Sequence, residues 1–283
     1  PVIVPTKFVV TIHDLILTKH PTQRASTLSP WLYKLKNLAY KFAIKRAAQK
    51  SEKIITISKF SQEDIIEEFK VPREKVMLTY EGIADSLKHQ ENHDDKKVLL
   101  GYNIVDKYLL YVGNAYPHKN LELILEVWPN IKDKYPFLKF VFVGKEDYFY
   151  SRLKKLVIEK KLENDIIFAG FVPDKDLSSF FKLAEAYIFP SLFEGFGLTP
   201  LEAMQHSCPV IMSDMTCLPE VLGDAALYFD PERPVELIKA IEKILENEHL
   251  REELVLKGLN QIKLYSWDDC VQGTAKVYKE ILS

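Results

Sequence analysis

Cysteine, glycine and long apolar runs are what this chain has least of. Its 283 residues hold three cysteines, Cys208, Cys217 and Cys270, an odd number without the spacing of a metal site. A disulfide framework and a zinc-ribbon fold are thereby excluded, and reduced thiols in the cytoplasm are expected. No apolar run approaches the ~20 residues of a membrane-spanning helix. The opening residues do not read as a secretory signal. There is no internal repeat and no low-complexity tract, which sets aside solenoids and disordered arrays. With only 10 glycines in the chain, two of them at 195 and 197 stand out.

What is present is a globular composition. At 47% hydrophobic the chain can bury one large core or two modest ones. The net charge of −2 hides an asymmetry: residues 1–80 carry 14 Lys and Arg against 7 Asp and Glu, the remainder 24 against 33. A basic front suits an anionic partner, although solvation alone accounts for much of it. A nucleic-acid partner is not expected.

The chain is organised around Ser191-Leu-Phe-Glu-Gly-Phe-Gly-Leu-Thr-Pro-Leu-Glu-Ala-Met204. The apolar run 186–189 before it reads as a buried parallel strand closed by Pro190. Gly195 and Gly197 allow a sharp turn and a close approach to a ligand. Thr199-Pro200 starts a helix, with Pro200 suited to the first helical position. Strand, turn and helix N-terminus together present free backbone N–H groups and the positive end of a helix dipole to an anion. Glu194 and Glu202 bracket the turn, so that phosphates on the amides and hydroxyls on the carboxylates would suit a sugar nucleotide. Thr199-x-x-Glu202 also fits a capping box, in which Glu202 only satisfies the N–H of Thr199.

Earlier in the chain, residues 8–12 read as a strand ending in His13-Asp14, where open α/β sheets place ligands. Residues 30–50 form one helix with Trp31, Leu35, Leu38 and Phe42 on a stripe and lysines over much of the rest. That stripe either faces a core or lies on an anionic membrane surface. Strand 53–57 and helix 62–69 follow, with Ser58 or Ser61 as cap, then strand 75–80. Residues 84–106 are polar and read as a linker. Strand 108–112 then leads into Gly113-Asn-Ala-Tyr-Pro-His-Lys119, where a lysine near a helix start could hold a diphosphate. Strands near 139–143, 166–168, 186–189 and 209–212 alternate with helices, as in a doubly wound sheet. Ser266 caps a last helix.

Residues 190–204 match P-S-x-x-E-G-F-G-L-x-x-x-E-A-M at every defined position. The chain therefore resembles the retaining glycosyltransferases of GT-B fold, family 4 in the usual classification, which include bacterial mannosyl- and glucosyltransferases. The resemblance implies an α/β fold of two Rossmann-like domains across a cleft: a partial first domain at 1–85, a linker at 86–106, a nucleotide-sugar domain at 107–265 and a C-terminal helix at 266–283 crossing back. It implies transfer of a hexose from a GDP- or UDP-sugar to a glycan or lipid-linked acceptor, with anomeric retention. His13 and Glu194 would be catalytic. Asn114, Lys119, Phe171, Val172, Glu194, Gly195, Phe196, Gly197, Leu198 and Glu202 would bind the donor. Of these, Phe171-Val172 would hold the base through their backbone, Lys119 the phosphates and Glu202 the ribose.

No cofactor and no metal is expected, since Lys119, the amides at 195–198 and the helix dipole can carry the diphosphate's charge. Asn114 departs from relatives that carry Arg there, so one phosphate contact is either missing or supplied elsewhere. Pro117-His-Lys-Asn120 resembles mannosyltransferases and favours GDP-mannose. Helix 30–50 would give peripheral contact with the inner face of the membrane. About 85 residues precede the linker where a dinucleotide-type domain needs ~100–200, and Pro1 stands where Met is usual. A truncated reading frame is expected, the alternative being a natural half that pairs with a separate subunit. Two other functions share these features: a sugar-nucleotide 2-epimerase and a non-catalytic nucleotide-sugar-binding module.

Overall fold

A computed structural model describes residues 4–19, 29–83 and 94–282. The chain divides into two compact units. The first holds residues up to Gly82 together with Phe193–Phe196 and the segment from Tyr265; the second holds Ile83–Leu192 and Gly197–Leu264.

The first unit is built on a three-stranded parallel sheet in the order β1 (Val9–Thr11), β2 (Lys53–Thr56), β3 (Val76–Leu78). Between β1 and β2 lie α1 (Ile16–Lys19) and α2 (Pro30–Lys50). Helix α3 (Lys59–Phe69) joins β2 to β3. It begins three residues earlier than its apolar pattern suggested, because the Ser58 hydroxyl accepts from Ser61 N at 3.1 Å and caps it. The core consists of Ile12, Leu15, Ala48, Ile54, Ile65, Phe69, Val71 and Val76. Helix α2 corrects the core-facing reading of its stripe. Trp31, Leu35, Leu38 and Phe42 are exposed, and it is Ala47 and Ala48, in the last turn, that are buried.

The second unit opens on α4 (Asp95–Gly101), inside the stretch read as a linker. Its polarity was misleading. Asp94 caps it, Leu99 is buried, Ser179 donates to Asp95 at 2.7 Å, and the Tyr102 ring meets Phe180 edge-on at 5.0 Å. Then follow β4 (Tyr108–Val112), α5 (Glu122–Lys134), β5 (Lys139–Val143), α6 (Tyr148–Glu159), β6 (Ile166–Gly170), α7 (Asp174–Leu183) and β7 (Ala186–Phe189). After these come α8 (Leu198–Gln205), β8 (Val210–Ser213), α9 (Leu218–Leu222), β9 (Leu227–Phe229), α10 (Pro234–Glu246) and α11 (Glu248–Gln261). The six strands are all parallel, in the order β6-β5-β4-β7-β8-β9. The apolar runs of the four inner strands β5, β4, β7 and β8 are almost wholly buried, as parallel strands covered on both faces require, while the edge strands β6 and β9 are partly exposed. The chain starts in the middle at β4, winds outward to β6, and restarts at β7 on the other side. Between β4 and β7 the winding reverses, and a sheet of this order takes its ligand outside the carboxyl ends of those two strands.

The last helix, α12 (Trp267–Leu282), belongs to the first unit. A Cβ on Gly82 would lie 2.2 Å from Trp267 N, and one on Gly273 would lie 3.0 Å from Thr79 Cγ2. Ser266 caps α12 by accepting from Asp269 N at 3.0 Å.

Candidate functional site

Three loops leave the carboxyl ends of β4, β6 and β7 in the second unit. The first runs from Gly113 to a 3-10 turn, Pro117–Lys119, ending on Asn120 in the left-handed region. It is stitched to the end of β7 by a hydrogen bond from Leu192 N to His118 O at 2.7 Å. Lys119 Nζ lies 5.1 Å from the centroid of the Phe189 ring, which fixes the lysine at this end of the sheet. The Asn114 side-chain oxygen turns back to accept from Tyr116 N at 3.3 Å. After β6, Gly170 takes φ +72°, Phe171 is 70% exposed and Val172 is buried.

After β7 comes the glycine turn. Gly197, at φ +93°, is the N-cap of α8, and no side chain caps that helix. Leu198 is therefore the first helical residue and Pro200 the third, not the first as expected. This removes the capping box: Thr199 is inside the helix, and Glu202 stands on the second turn. The Glu202 carboxylate makes no hydrogen bond or ion pair among the described residues. Burial pushes its pKa up, and Asp174 adds to the rise.

The other half of the turn sits in the first unit. Residues 193–196 are buried there, Glu194 at 6% exposure, and they leave the continuous block at 107–265 to which the sequence assigned them. Phe193 meets Phe60 edge-on, with ring centroids 5.5 Å apart, and Phe196 meets Tyr80 and Tyr265. Gly195 is fixed by contact: a Cβ there would be 2.8 Å from Asp14 Cβ and 3.1 Å from His13 O. Only glycine lets the turn reach the corner after β1.

At that corner His13 is exposed, and its Nε2 is 3.5 Å from Glu81 Oε1, an ion pair when the ring is protonated. Asp14 accepts from Ile16 N at 2.9 Å, a turn bond within its own loop. Burial pushes the Glu81 carboxyl up, His13 opposes the shift and Asp14 adds to it. Glu81 was not among the site residues expected from sequence. The one available signal was its place before Gly82, at the end of the strand read over 75–80. A pocket of about 380 Å³ lined by Thr11, His13, Asp14, Tyr40 and Ala43 opens beside it. A larger cavity of about 530 Å³ lies at the amino ends of the second sheet's strands, lined by Lys107, Lys134, Phe137 and Glu185. None of the expected site residues lines it.

A parallel sheet wound in this order, with its strand order reversing between β4 and β7, has the doubly wound α/β architecture. The chain belongs to the family described as glycosyl transferases group 1, whose model matches residues 94–261. It is 33% identical over 231 residues to O-antigen chain mannosyltransferase B of Escherichia coli, covering 80% of this chain and 60% of that one. Among solved structures it resembles sucrose-phosphate synthase from Thermosynechococcus elongatus, with TM-score 0.79, 21% identity, and 97% of this chain and 67% of that one covered. It also resembles Anabaena HepE in complex with UDP and glucose, with TM-score 0.78, 18% identity, and 98% and 72% covered. The fold is the α/β, parallel-sheet architecture of GT-B glycosyltransferases. The chain spans about 60% of the length of the mannosyltransferase it matches.

Proposed function

We propose that this chain handles the nucleotide sugar in a retaining glycosyltransferase of family 4. It moves a hexose, with mannose favoured, from a GDP- or UDP-sugar to a hydroxyl of a glycan or lipid-linked acceptor. The observation that carries this reading is Glu202, a carboxylate on α8 that burial disfavours and nothing among the described residues pairs. A half-buried acceptor without a partner costs stability, and ribose hydroxyls would relieve that cost. Lys119 and the amides at 195–198 would carry the diphosphate, Phe171 and Val172 the base, and Glu194 and His13 the reacting sugar. The mannosyltransferase relative supports mannose, and the neighbour solved with UDP supports a nucleoside diphosphate. The charge is met without a metal in this proposal, so EDTA should leave donor affinity unchanged. The enzyme works in the cytoplasm, with α2 resting on the inner face of the membrane.

A thermal-shift screen of GDP-, UDP- and ADP-sugars tests the reading, with Lys119→Ala beside wild type. A GDP- or UDP-sugar should raise the melting temperature. The alanine variant should bind it roughly ten- to hundredfold more weakly, the loss of a charged hydrogen bond. It also loses the contact with Phe189, ~0.5–1 kcal/mol of stability, so affinities are compared at a temperature where both proteins are folded. No shift with any nucleotide sugar would end the proposal.

A further inference from the structure

Two tyrosine hydroxyls grip successive carbonyls at the start of the loop that carries Lys119. Tyr111, the fourth residue of β4, donates to Asn114 O at 2.7 Å. Tyr150, in the first turn of α6, donates to Gly113 O at 2.8 Å and shares that proton with Val143 O at 3.1 Å. Burial and the neighbouring Asp147 push the Tyr150 phenol up, so it stays a donor across the physiological range. Space has been cleared for this grip. A Cβ on Gly144 would lie 2.4 Å from the Tyr150 hydroxyl and 2.2 Å from Gly113 O, and a Cβ on Gly113 would lie 2.9 Å from the Tyr111 hydroxyl.

A planar trans peptide points its C=O and the following N–H in opposite directions. Fixing the carbonyls of Gly113 and Asn114 on the phenols therefore aims the N–H groups of Asn114 and Ala115 the other way. Those two N–H groups donate to nothing among the described residues. Unpaired amides on one loop with a lysine form the kind of concavity that takes an anion. The Asn114 carboxamide is occupied with Tyr116 N, so its backbone and not its side chain is what this position offers.

We infer that Tyr111 and Tyr150 are positioning residues: they hold Asn114 O and Gly113 O so that the amides of Ala115 and Asn114 face the donor diphosphate as a two-donor anion site. The inference rests on the donor reading given above. It supplies from the backbone the phosphate contact that an arginine at 114 would otherwise make.

The test compares GDP and UDP, by calorimetry, with guanosine and uridine as phosphate-free probes. The proteins are wild type, Tyr150→Phe, Tyr111→Phe and Tyr108→Phe. Tyr108→Phe is the stability control, because its hydroxyl donates to Phe180 O at 2.7 Å, away from the loop. Each clamp variant should weaken diphosphate binding about fivefold or more, the worth of one hydrogen bond, and leave nucleoside affinity within twofold. The control should lower the melting temperature and leave both affinities alone. Diphosphate affinity unchanged in a folded clamp variant would overturn the inference and leave the donor reading standing. Amide hydrogen exchange on wild type gives a second measurement that needs no variant: inorganic pyrophosphate should protect Asn114 and Ala115. Protection by pyrophosphate without any nucleotide binding would sink the donor reading and keep the anion site. Absence of protection at both amides would overturn the site even if the variants fail to fold.

Discussion

Glu202 shows how one cap position separates two readings of one residue. With Gly197 as the N-cap of α8, the carboxylate is not a capping partner and has no stabilising bond to lose. Burial raises its pKa, so the folded state binds its proton more tightly than the unfolded chain does. For an acid with a raised pKa, ionisation works against folding. The penalty sets in as pH rises from the ordinary carboxylate value of 4.5 and is fully present once the pH is above the folded pKa. Glu202→Gln removes it, so the apo protein should melt no lower than wild type at pH 7, and the pH dependence from this group should vanish. The thermal shift produced by saturating GDP or UDP should shrink, in line with a loss of ~1.5–3 kcal/mol for hydrogen bonds to a charged group. A Gln variant that loses apo stability and keeps its nucleotide affinity would return Glu202 to a structural role.

Helix α2 presents the same contrast over 21 residues. Trp31 at 71% and Phe42 at 61% exposure, with Leu35 and Leu38 between them, form an uncovered apolar stripe beside Lys34, Lys41 and Lys45. Such a helix should bind vesicles in proportion to their anionic lipid and release them as salt rises. Co-sedimentation with phosphatidylglycerol vesicles checks this. Binding equal to that on neutral phosphatidylcholine vesicles, or none, would refute the membrane contact. The period of the stripe was legible in the sequence, because a 3.6-residue repeat fixes which residues share a face. What covers that face was not, since burial depends on chain far away in sequence. The stretch before β4 failed for a related reason. Asp94, Asp95, Lys96 and Lys97 dominate its composition, while the packing of Leu99 and Tyr102 against α7 is a tertiary fact. The doubly wound order of the second sheet, by contrast, could be read almost strand by strand. Parallel strands are continuous apolar runs, and all of those here but β8 end in a glycine or proline loop.

The chain as a whole is less continuous than its sequence suggests. The turn that carries Glu194 belongs to the first unit although both of its flanks belong to the second, and α12 rejoins the first unit from the far end of the chain. Local pattern identified Glu194 and Gly195 as site residues. It could not show that Gly195 must be glycine because the corner at His13 and Asp14 lies against it. The same kind of contact makes the division of the chain testable at Gly82, where a Cβ would meet the backbone of Trp267 at 2.2 Å and the backbone carbon of Ser266 at 2.6 Å. Backbone cannot swing aside as a side chain does, so Gly82→Ala should push α12 away from the end of the segment after β3. The cost should be ~1–3 kcal/mol, as for other overpacked sites, and each kcal/mol lowers the melting temperature of a unit of this size by roughly 4–8 °C. Val277, buried on α12, would lose its packing with it. The sheet at β4 to β9 belongs to the second unit, so the transition that GDP or UDP raises should stay where it is in the variant. Calorimetric scans of wild type and Gly82→Ala, each with and without nucleotide, would resolve the two. One transition should move down with the mutation, and the other should move up only with ligand. If the mutation lowers the ligand-raised transition by the same amount, the two units unfold as one cooperative body, and the division at Gly82 describes contacts without describing stability.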